Sequence, residues 1–161
     1  MYSVRQPWGI AGLPARTIMT DTFRVAFVCV QNAGRSQMST AFAEREVAER
    51  GLEDSDEVVT GGTHPADHVH EAVVDSMREL DIDLADRVPR EVTDEELNEC
   101  DLVATMGCST LELDADVEVR DWALEDPDGQ DADAVREIRE EIRGLVAEIF
   151  DDIEARLDAP A

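Results

Sequence analysis

Residues 23–36 have the sequence F-R-V-A-F-V-C-V-Q-N-A-G-R-S. The first six of these residues are mostly β-branched or aromatic, and they predict a buried strand. Residues 31–34 are typical of a tight loop, and the residues from Ser36 onward predict a helix with one apolar side. Cys29 is therefore expected where a strand passes into a loop that ends at a helix N-terminus.

This placement of Cys29 predicts an anion-binding site. Backbone N–H groups of the loop and of the first helical turn have no helical partner, and together with the helix dipole they attract an anion. A thiol in such surroundings ionises readily, and Arg35 adds a planar, bidentate grip on an oxyanion. The arrangement suits nucleophilic attack on a tetrahedral oxyanion. The alternative is a buried structural cysteine at a strand end.

The predicted substrate-binding residues are the loop and the start of the helix: Val30, Gln31, Asn32, Ala33, Gly34, Arg35 and Ser36. The Ser36 hydroxyl is expected to form a hydrogen bond with the Cys29 thiolate while starting the helix. Asn32 is expected to hold the loop in an unusual backbone shape.

The segment C-V-Q-N-A-G-R-S-Q-M-S, which begins at Cys29, resembles the phosphate-binding loop shared by low-molecular-weight protein tyrosine phosphatases and thioredoxin-coupled arsenate reductases. It is more similar to the reductases, because Gly34 stands where the phosphatases usually carry a second cysteine. The resemblance covers nearly the whole chain from residue 23. Residues 61–84 resemble the reductase segment after the second strand, D-L-V-A-T-M-G-C resembles the stretch that presents a second redox cysteine, and D-W-A-L-E-D-P-D-G resembles the acid loop.

The resemblance implies three catalytic roles besides that of Arg35. Cys29 is the nucleophile, Asp126 is the general acid that protonates the leaving oxygen, and Cys108 is a second thiol that attacks the arsenylated cysteine. For Asp126 the alternative is a residue that only caps or turns its loop. For Cys108 the alternative is a small apolar residue below the anion-binding loop.

The function expected from the resemblance is arsenate reduction. The alternatives are a phosphatase, in which water hydrolyses a phosphocysteine, and a non-enzymatic thiol redox or oxyanion sensor. Reductases of this kind carry one more cysteine a few residues after the second one, and none follows Cys108 here. Cys29 and Cys108 are therefore expected to pair directly, or an external small thiol completes the cycle. The expected partners are arsenate or a phosphate ester and a thioredoxin or small thiol, with no bound cofactor.

Alternating apolar strands and amphipathic helices predict an α/β fold, a single-domain four-stranded parallel sheet with helices on both faces; the resemblance makes this the low-molecular-weight phosphatase fold. Strands are expected at residues 23–28, 57–60, 101–105 and 117–119, and helices from residue 36, at 71–80, from 93 and at 132–157. The domain is expected to span residues 21–161. Residues 1–20 have no periodicity and are expected to be a disordered or non-native extension.

Composition limits the setting and the partners. The formal net charge is −25, from 39 acidic residues against 14 basic ones, all of which are arginine. Such self-repulsion is tolerated in a very salty cytoplasm; the alternative is a specialised acidic interaction surface. The charge disfavours nucleic acid and anionic membranes as partners. Three cysteines and no long apolar run indicate a cytoplasmic protein without a disulfide framework.

Four residues outside these motifs carry reactive side chains. His64, His68 and His70 lie within seven residues of one another, but no cysteine or regularly spaced acid completes a metal site. No metal is expected, and the three histidines are interpreted as ordinary loop and helix-capping residues. Cys100, just before a predicted strand, is expected in the core.

Overall fold

The structure is a computed structural model, and it describes residues 23–53, 56–106 and 117–158, without the side chains of residues 156–158. The expected extension at residues 1–20 and the whole of Cys108 lie outside this part of the chain. The strands are β1 (Phe23–Cys29), β2 (Asp56–Gly62), β3 (Leu102–Met106) and β4 (Glu118–Asp121). The helices are α1 (Arg35–Arg50), α2 (Glu71–Arg78), α3 (Asp94–Asn98) and α4 (Ala132–Asp158).

The four strands form one parallel sheet in the order β2-β1-β3-β4. Strand β1 lies between β2 and β3, and its last residue, Cys29, pairs with Gly62 on one side and Met106 on the other. The predicted parallel α/β sheet is confirmed. Its carboxyl ends, where parallel sheets bind ligands, therefore meet around Cys29.

Alternate residues of β1 enter two separate cores. Val25 and Phe27 belong to the larger core, between the sheet and helices α1, α2 and α4. Ala26 and Val28 belong to the smaller core on the opposite face, which also contains Cys100. Both faces of β1 are buried, which explains why its sequence is a nearly continuous apolar run. The placement of Cys100 in a core is confirmed.

Helix boundaries agree with the sequence within two residues. Helix α1 begins at Arg35, one residue before the predicted start. It ends at Arg50, and the φ of +69° at Gly51, which follows, is the left-handed conformation that favours glycine at a helix C-terminus. At the start of α3, Thr93 Oγ1 accepts a hydrogen bond from the Glu96 N–H at 3.1 Å. A reciprocal capping box would also need the Glu96 side chain at the Thr93 N–H, but the Glu96 carboxylate binds Arg90.

Arginines tie the helices of the larger core together. Arg50 of α1 binds Glu46 on its own helix and Asp151 and Glu154 on α4. Arg139 of α4, which is nearly buried, donates to Glu79 at 2.8 Å. One guanidinium serves several carboxylates at once, which a lysine ammonium does with less defined geometry.

None of the helices in the described part of the chain is long and apolar enough to cross a membrane.

Candidate active site

Cys29 lies at the bottom of a polar loop, with only 2% of its surface exposed. Its Sγ is 2.8 Å from Ser36 Oγ and accepts a hydrogen bond from the Asn32 N–H at 3.2 Å. The first residue of α1 is Arg35, so the sulfur also faces the N-terminal end of a 16-residue helix. The sulfur is thus surrounded by polar groups and by the positive end of a helix dipole. Residues 29–36 are called the anion loop below.

Asn32 occupies the one left-handed position of the anion loop, with a φ of +52°. This conformation is uncommon outside glycine, and asparagine is one of the residues that tolerate it. The Asn32 side chain is completely buried. Its four hydrogen bonds are Nδ2 to Ser36 Oγ at 2.7 Å, Nδ2 to Thr60 Oγ1 at 2.9 Å, Gln37 Nε2 to Oδ1 at 3.1 Å, and the Arg90 N–H to Oδ1 at 3.0 Å. Asn32 thus joins the loop to α1, to β2 and to the segment before α3.

Backbone N–H groups of residues 63–70 hold the carbonyl groups of the anion loop from outside. The hydrogen bonds are Thr63 N–H to Cys29 O at 3.2 Å, His64 to Val30 at 2.7 Å, Ala66 to Gln31 at 2.9 Å, and His70 to Ala33 at 2.9 Å. In a trans peptide the C=O and the next N–H point in opposite directions. The N–H groups of residues 30, 31, 32 and 34 are therefore turned to the inside of the loop, where an oxyanion would bind.

The close approach of the two segments depends on Gly62. A Cβ on Gly62 would lie 2.5 Å from the Val30 carbonyl oxygen and 2.9 Å from the Asn32 nitrogen. Both distances are too short for a carbon, and both partners are backbone atoms that cannot turn aside. Only glycine lets β2 lie this close to the anion loop.

Arg35 spans the space between the anion loop and the segment after β4. Its side chain is only 11% exposed. Nη1 donates to the Leu124 carbonyl oxygen at 3.2 Å, and Nη2 lies 3.7 Å from Asp126 Oδ2. The guanidinium is thus held over the loop by groups that do not themselves belong to it.

Residues 122–130, called the acid loop below, bring Asp126 to the same place. Trp122 anchors the loop, because it is buried against Phe27 with ring centroids 6.1 Å apart. The Asp126 side chain is 57% exposed, and its Oδ1 accepts a hydrogen bond from the Asp128 N–H at 3.0 Å. A carboxyl group that is exposed on one side and faces a cleft on the other is able to exchange protons with both.

These parts enclose one cleft of about 310 Å³. Its lining residues are Cys29, Val30, Gln31, Gly34, Arg35, His70 and Asp126. The structure thus brings together the predicted nucleophile, the predicted arginine and the predicted acid. Asn32, Ala33 and Ser36 are buried behind the lining and support it.

His70 lines the cleft, and the sequence interpretation did not assign it to the site. Its ring Nε2 lies 3.1 Å from Gln31 Oε1, and its backbone N–H holds the anion loop at Ala33. The only signal in the sequence is its position just before α2, which is shared by many residues without function. Within the described residues no group of three potential metal ligands is found, and His64 contacts Thr63.

Cys100 is remote from this chemistry. Burial raises the pKa of its thiol to about 11, and its sulfur donates to the Glu96 carbonyl oxygen at 3.7 Å. It therefore stays a protonated thiol at neutral pH. Cys108, which the resemblance implies as the second redox thiol, lies outside the described residues.

A thiolate surrounded by inward N–H groups and an arginine, with a carboxylic acid opposite, defines a class of enzymes that form a covalent cysteine intermediate with tetrahedral oxyanions. Within that class, the chain belongs to the low molecular weight phosphotyrosine protein phosphatase family, whose model matches residues 24–159.

Its relatives include proteins described as arsenate reductases. The chain is 67% identical to a "Putative arsenate reductase" of Halobacterium salinarum, across 82% of this chain and 94% of that protein. It is 30% identical to a "Glutaredoxin arsenate reductase" of Synechocystis, across 78% and 98%. Among solved structures it is similar to a thioredoxin-dependent arsenate reductase of Corynebacterium glutamicum, with a TM-score of 0.70 and 32% identity. That match covers 84% of this chain and 63% of the other. A relative from Halobacterium salinarum is consistent with the interpretation of the acidic composition as an adaptation to salt.

Proposed function

We propose that this protein is an arsenate reductase of the cytoplasm, where thioredoxin-like and small-thiol reductants keep cysteines reduced. The observation that carries the proposal is that Cys29, Arg35 and Asp126 line the same cleft. The backbone N–H groups of the anion loop are turned towards the inside of that loop. The 67% identity to a protein described as an arsenate reductase favours this substrate among the oxyanions.

In the proposed reaction Cys29 Sγ attacks the arsenic atom of arsenate. Arg35 and the inward N–H groups of the anion loop bind the oxygens that carry the developing charge. Asp126 gives a proton to the leaving oxygen, which departs as water, and a covalent S–As bond remains. Arsenic is still pentavalent at this stage, so the step so far is a substitution and no electrons have moved.

Reduction needs a second thiolate that attacks Cys29 Sγ. The new S–S bond takes the place of the S–As bond, whose electron pair leaves with arsenic as trivalent arsenite, so two thiols are oxidised to one disulfide. We assign this role to Cys108. Met106, two residues earlier, pairs with Cys29 across the β1–β3 ladder, so the chain leaves β3 beside the nucleophile.

An external reductant is required in either version of the cycle. If Cys108 attacks, a thioredoxin-like protein or small thiol reduces the Cys29–Cys108 disulfide afterwards. If a small thiol attacks Cys29 directly, a mixed disulfide forms instead. The names of the relatives mention both thioredoxin and glutaredoxin.

A phosphatase is the second candidate, because the family includes phosphatases by name and the first step is the same. Water would then hydrolyse a phosphocysteine. The acid loop disfavours a phosphotyrosine substrate: Asp126-Pro127 is followed by Asp128-Gly129, whereas an aromatic residue is usual at this point in the tyrosine phosphatases that the sequence resembles. A carboxylate at that position also repels phosphopeptides.

The test is thiol-dependent arsenate reduction, measured beside aryl phosphate hydrolysis in molar salt. The proteins compared are the wild type, Cys29→Ser, Cys108→Ser and, as a matched control, Cys100→Ala. Cys29→Ser should abolish both activities, and Cys100→Ala should keep both. Cys108→Ser should stop arsenate turnover and spare aryl phosphate hydrolysis.

The disulfide formed during turnover is the second readout. A Cys29–Cys108 bridge supports the internal relay, and a mixed disulfide on Cys29 supports a small-thiol donor. If arsenate oxidises no cysteine in the wild type, the reductase proposal is wrong and the phosphatase takes its place. Absence of turnover on both substrates leaves the oxyanion sensor.

A further inference from the structure

Gly34 is the point where the acid loop touches the anion loop. A Cβ on Gly34 would lie 3.0 Å from Pro127 Cγ, 3.6 Å from Pro127 Cδ and 3.5 Å from His70 Cδ2. Carbon atoms in ordinary contact are about 3.5–4.0 Å apart. A Cβ at position 34 therefore fits only if the Pro127 ring moves by a few tenths of an ångström.

Pro127 directly follows Asp126, so a shift of the Pro127 ring also shifts the backbone that carries the Asp126 carboxyl group. The proline ring fixes its own φ and cannot turn away as a flexible side chain would. The hydrogen bonds that restrain Asp126 come from the Asp128 N–H and from Gln130 Nε2, both within the acid loop. A displacement of Pro127 therefore moves Asp126 and its restraints together.

Besides the Arg35–Asp126 ion pair at 3.7 Å, two contacts set how far the acid loop lies from the anion loop. One is the hydrogen bond from Arg35 Nη1 to the Leu124 carbonyl oxygen, at 3.2 Å. The other is the Pro127 ring against Gly34. The first fixes the backbone of the acid loop at Leu124, and the second limits how closely Pro127, and with it Asp126, approaches the anion loop.

We propose that Gly34 is a positioning residue for the general acid. Because Gly34 has no side chain, the Pro127 ring packs directly against the anion loop. This contact sets the position of Asp126 over the Cys29 sulfur. The inference rests on the role given to Asp126 under the proposed function. Catalytic groups tolerate little misplacement, since about 1 Å can cost about 100-fold in rate.

The test compares Gly34→Ala, Pro127→Ala and the double variant with the wild type. Gly34→Ala should lower kcat by about 10- to 100-fold and change KM by less than about threefold. Its loss on aryl phosphates should be larger for poor leaving groups, which need the proton most. In the Pro127→Ala background, where the ring is absent, adding Gly34→Ala should cost less than about twofold. Gly144→Ala is the matched control, and activity should not change: Gly144 is exposed in α4, and among the described residues no atom beyond its neighbours and its own helix backbone lies within 4 Å of an added Cβ.

A crystal structure of Gly34→Ala gives a readout that needs no turnover. Asp126 should move away from Cys29 by a few tenths of an ångström or more, and it should return in the double variant. An unmoved Asp126, or an equal loss of kcat from Gly34→Ala with and without the Pro127 ring, would overturn the inference. If the wild type turns over neither substrate, the proposed function fails instead, while the crystal structures still decide the contact.

Discussion

The hydroxyl oxygen of Ser36 lies 2.8 Å from the sulfur of Cys29. The same oxygen accepts a hydrogen bond from Asn32 Nδ2 at 2.7 Å. Because an amide nitrogen can only donate, the Ser36 proton is free to point at the sulfur. The Ser36 hydroxyl can thus donate to the Cys29 sulfur while it accepts from Asn32.

Ser36→Ala should make Cys29 a poorer nucleophile without unfolding the protein. A hydrogen bond to a charged group contributes about 1.5–3 kcal/mol, so we expect alkylation of Cys29 at neutral pH to slow by about tenfold or more. The measurement is the rate of iodoacetamide labelling at neutral pH. Ser76→Ala, in α2 and far from the cleft, is the control. An unchanged rate would show that the hydroxyl does not assist Cys29 as a nucleophile.

Asp126→Asn should slow turnover by about 10²–10⁴, the usual contribution of a general acid. An amide cannot give the proton, but it keeps the size of the side chain and its contact with Arg35. Aryl phosphates with very good leaving groups should be affected least, since they depart without protonation. Equal losses on good and poor leaving groups would mean that Asp126 only shapes its loop.

Asp56 gives the stability of the protein a definite pH dependence. It is 7% exposed, and neither carboxylate oxygen has a hydrogen-bond partner within the described residues. Burial, and to a lesser extent the negative charge of Glu154, raises the pKa of Asp56 from 3.8 to about 6. The folded state therefore holds this proton more tightly than the unfolded state, and the group destabilises the fold as pH rises from about 4 to about 6.

Asp56→Asn removes that titration. The free energy of unfolding of Asp56→Asn, relative to that of the wild type, should increase between pH 4 and pH 7 by up to about 3 kcal/mol, since each unit of pKa shift corresponds to about 1.4 kcal/mol. Urea unfolding at several pH values and constant molar salt would measure it. Asp86→Asn, which removes the same charge from an exposed site, is the control and should show no such growth. A pH-independent difference would contradict the burial argument.

Salt should stabilise the fold. With 39 acidic residues against 14 arginines, repulsion dominates, while exposed ion pairs contribute only about 0–1 kcal/mol each. Raising KCl from about 0.1 M to about 1 M shortens the screening length from about 10 Å to about 3 Å. The melting temperature should rise over this range, and a constant value would refute the interpretation of the composition as a salt adaptation.

The sequence predicts the fold and the core of the site well, because both depend on local patterns. The apolar run before Cys29, the loop and the helix after it are visible in fourteen consecutive residues. Because β1, β2 and β3 are parallel neighbours, their carboxyl ends lie side by side at one edge of the sheet. The segment around Asp126 resembles an acid loop and so predicts that Asp126 lies at the site; in the structure its Oδ2 is 3.7 Å from Arg35 Nη2.

Other parts of the site leave no such pattern. The hydrogen bonds that turn the loop amides inward join two backbone segments, so they do not depend on the types of residue involved. His70 reaches the cleft because this pairing brings the start of α2 beside Gln31.

Gly62 touches the back of the anion loop, on the side away from the cleft. In a saturation-mutagenesis screen scored by growth on arsenate, cells with any other amino acid at position 62 should nonetheless fail to grow, as should cells with any other amino acid at position 29. A scan of loss-of-function alleles alone would thus count Gly62 among the catalytic residues. Selection acting on the codon preserves the shape of a binding loop, through a residue that never meets the substrate.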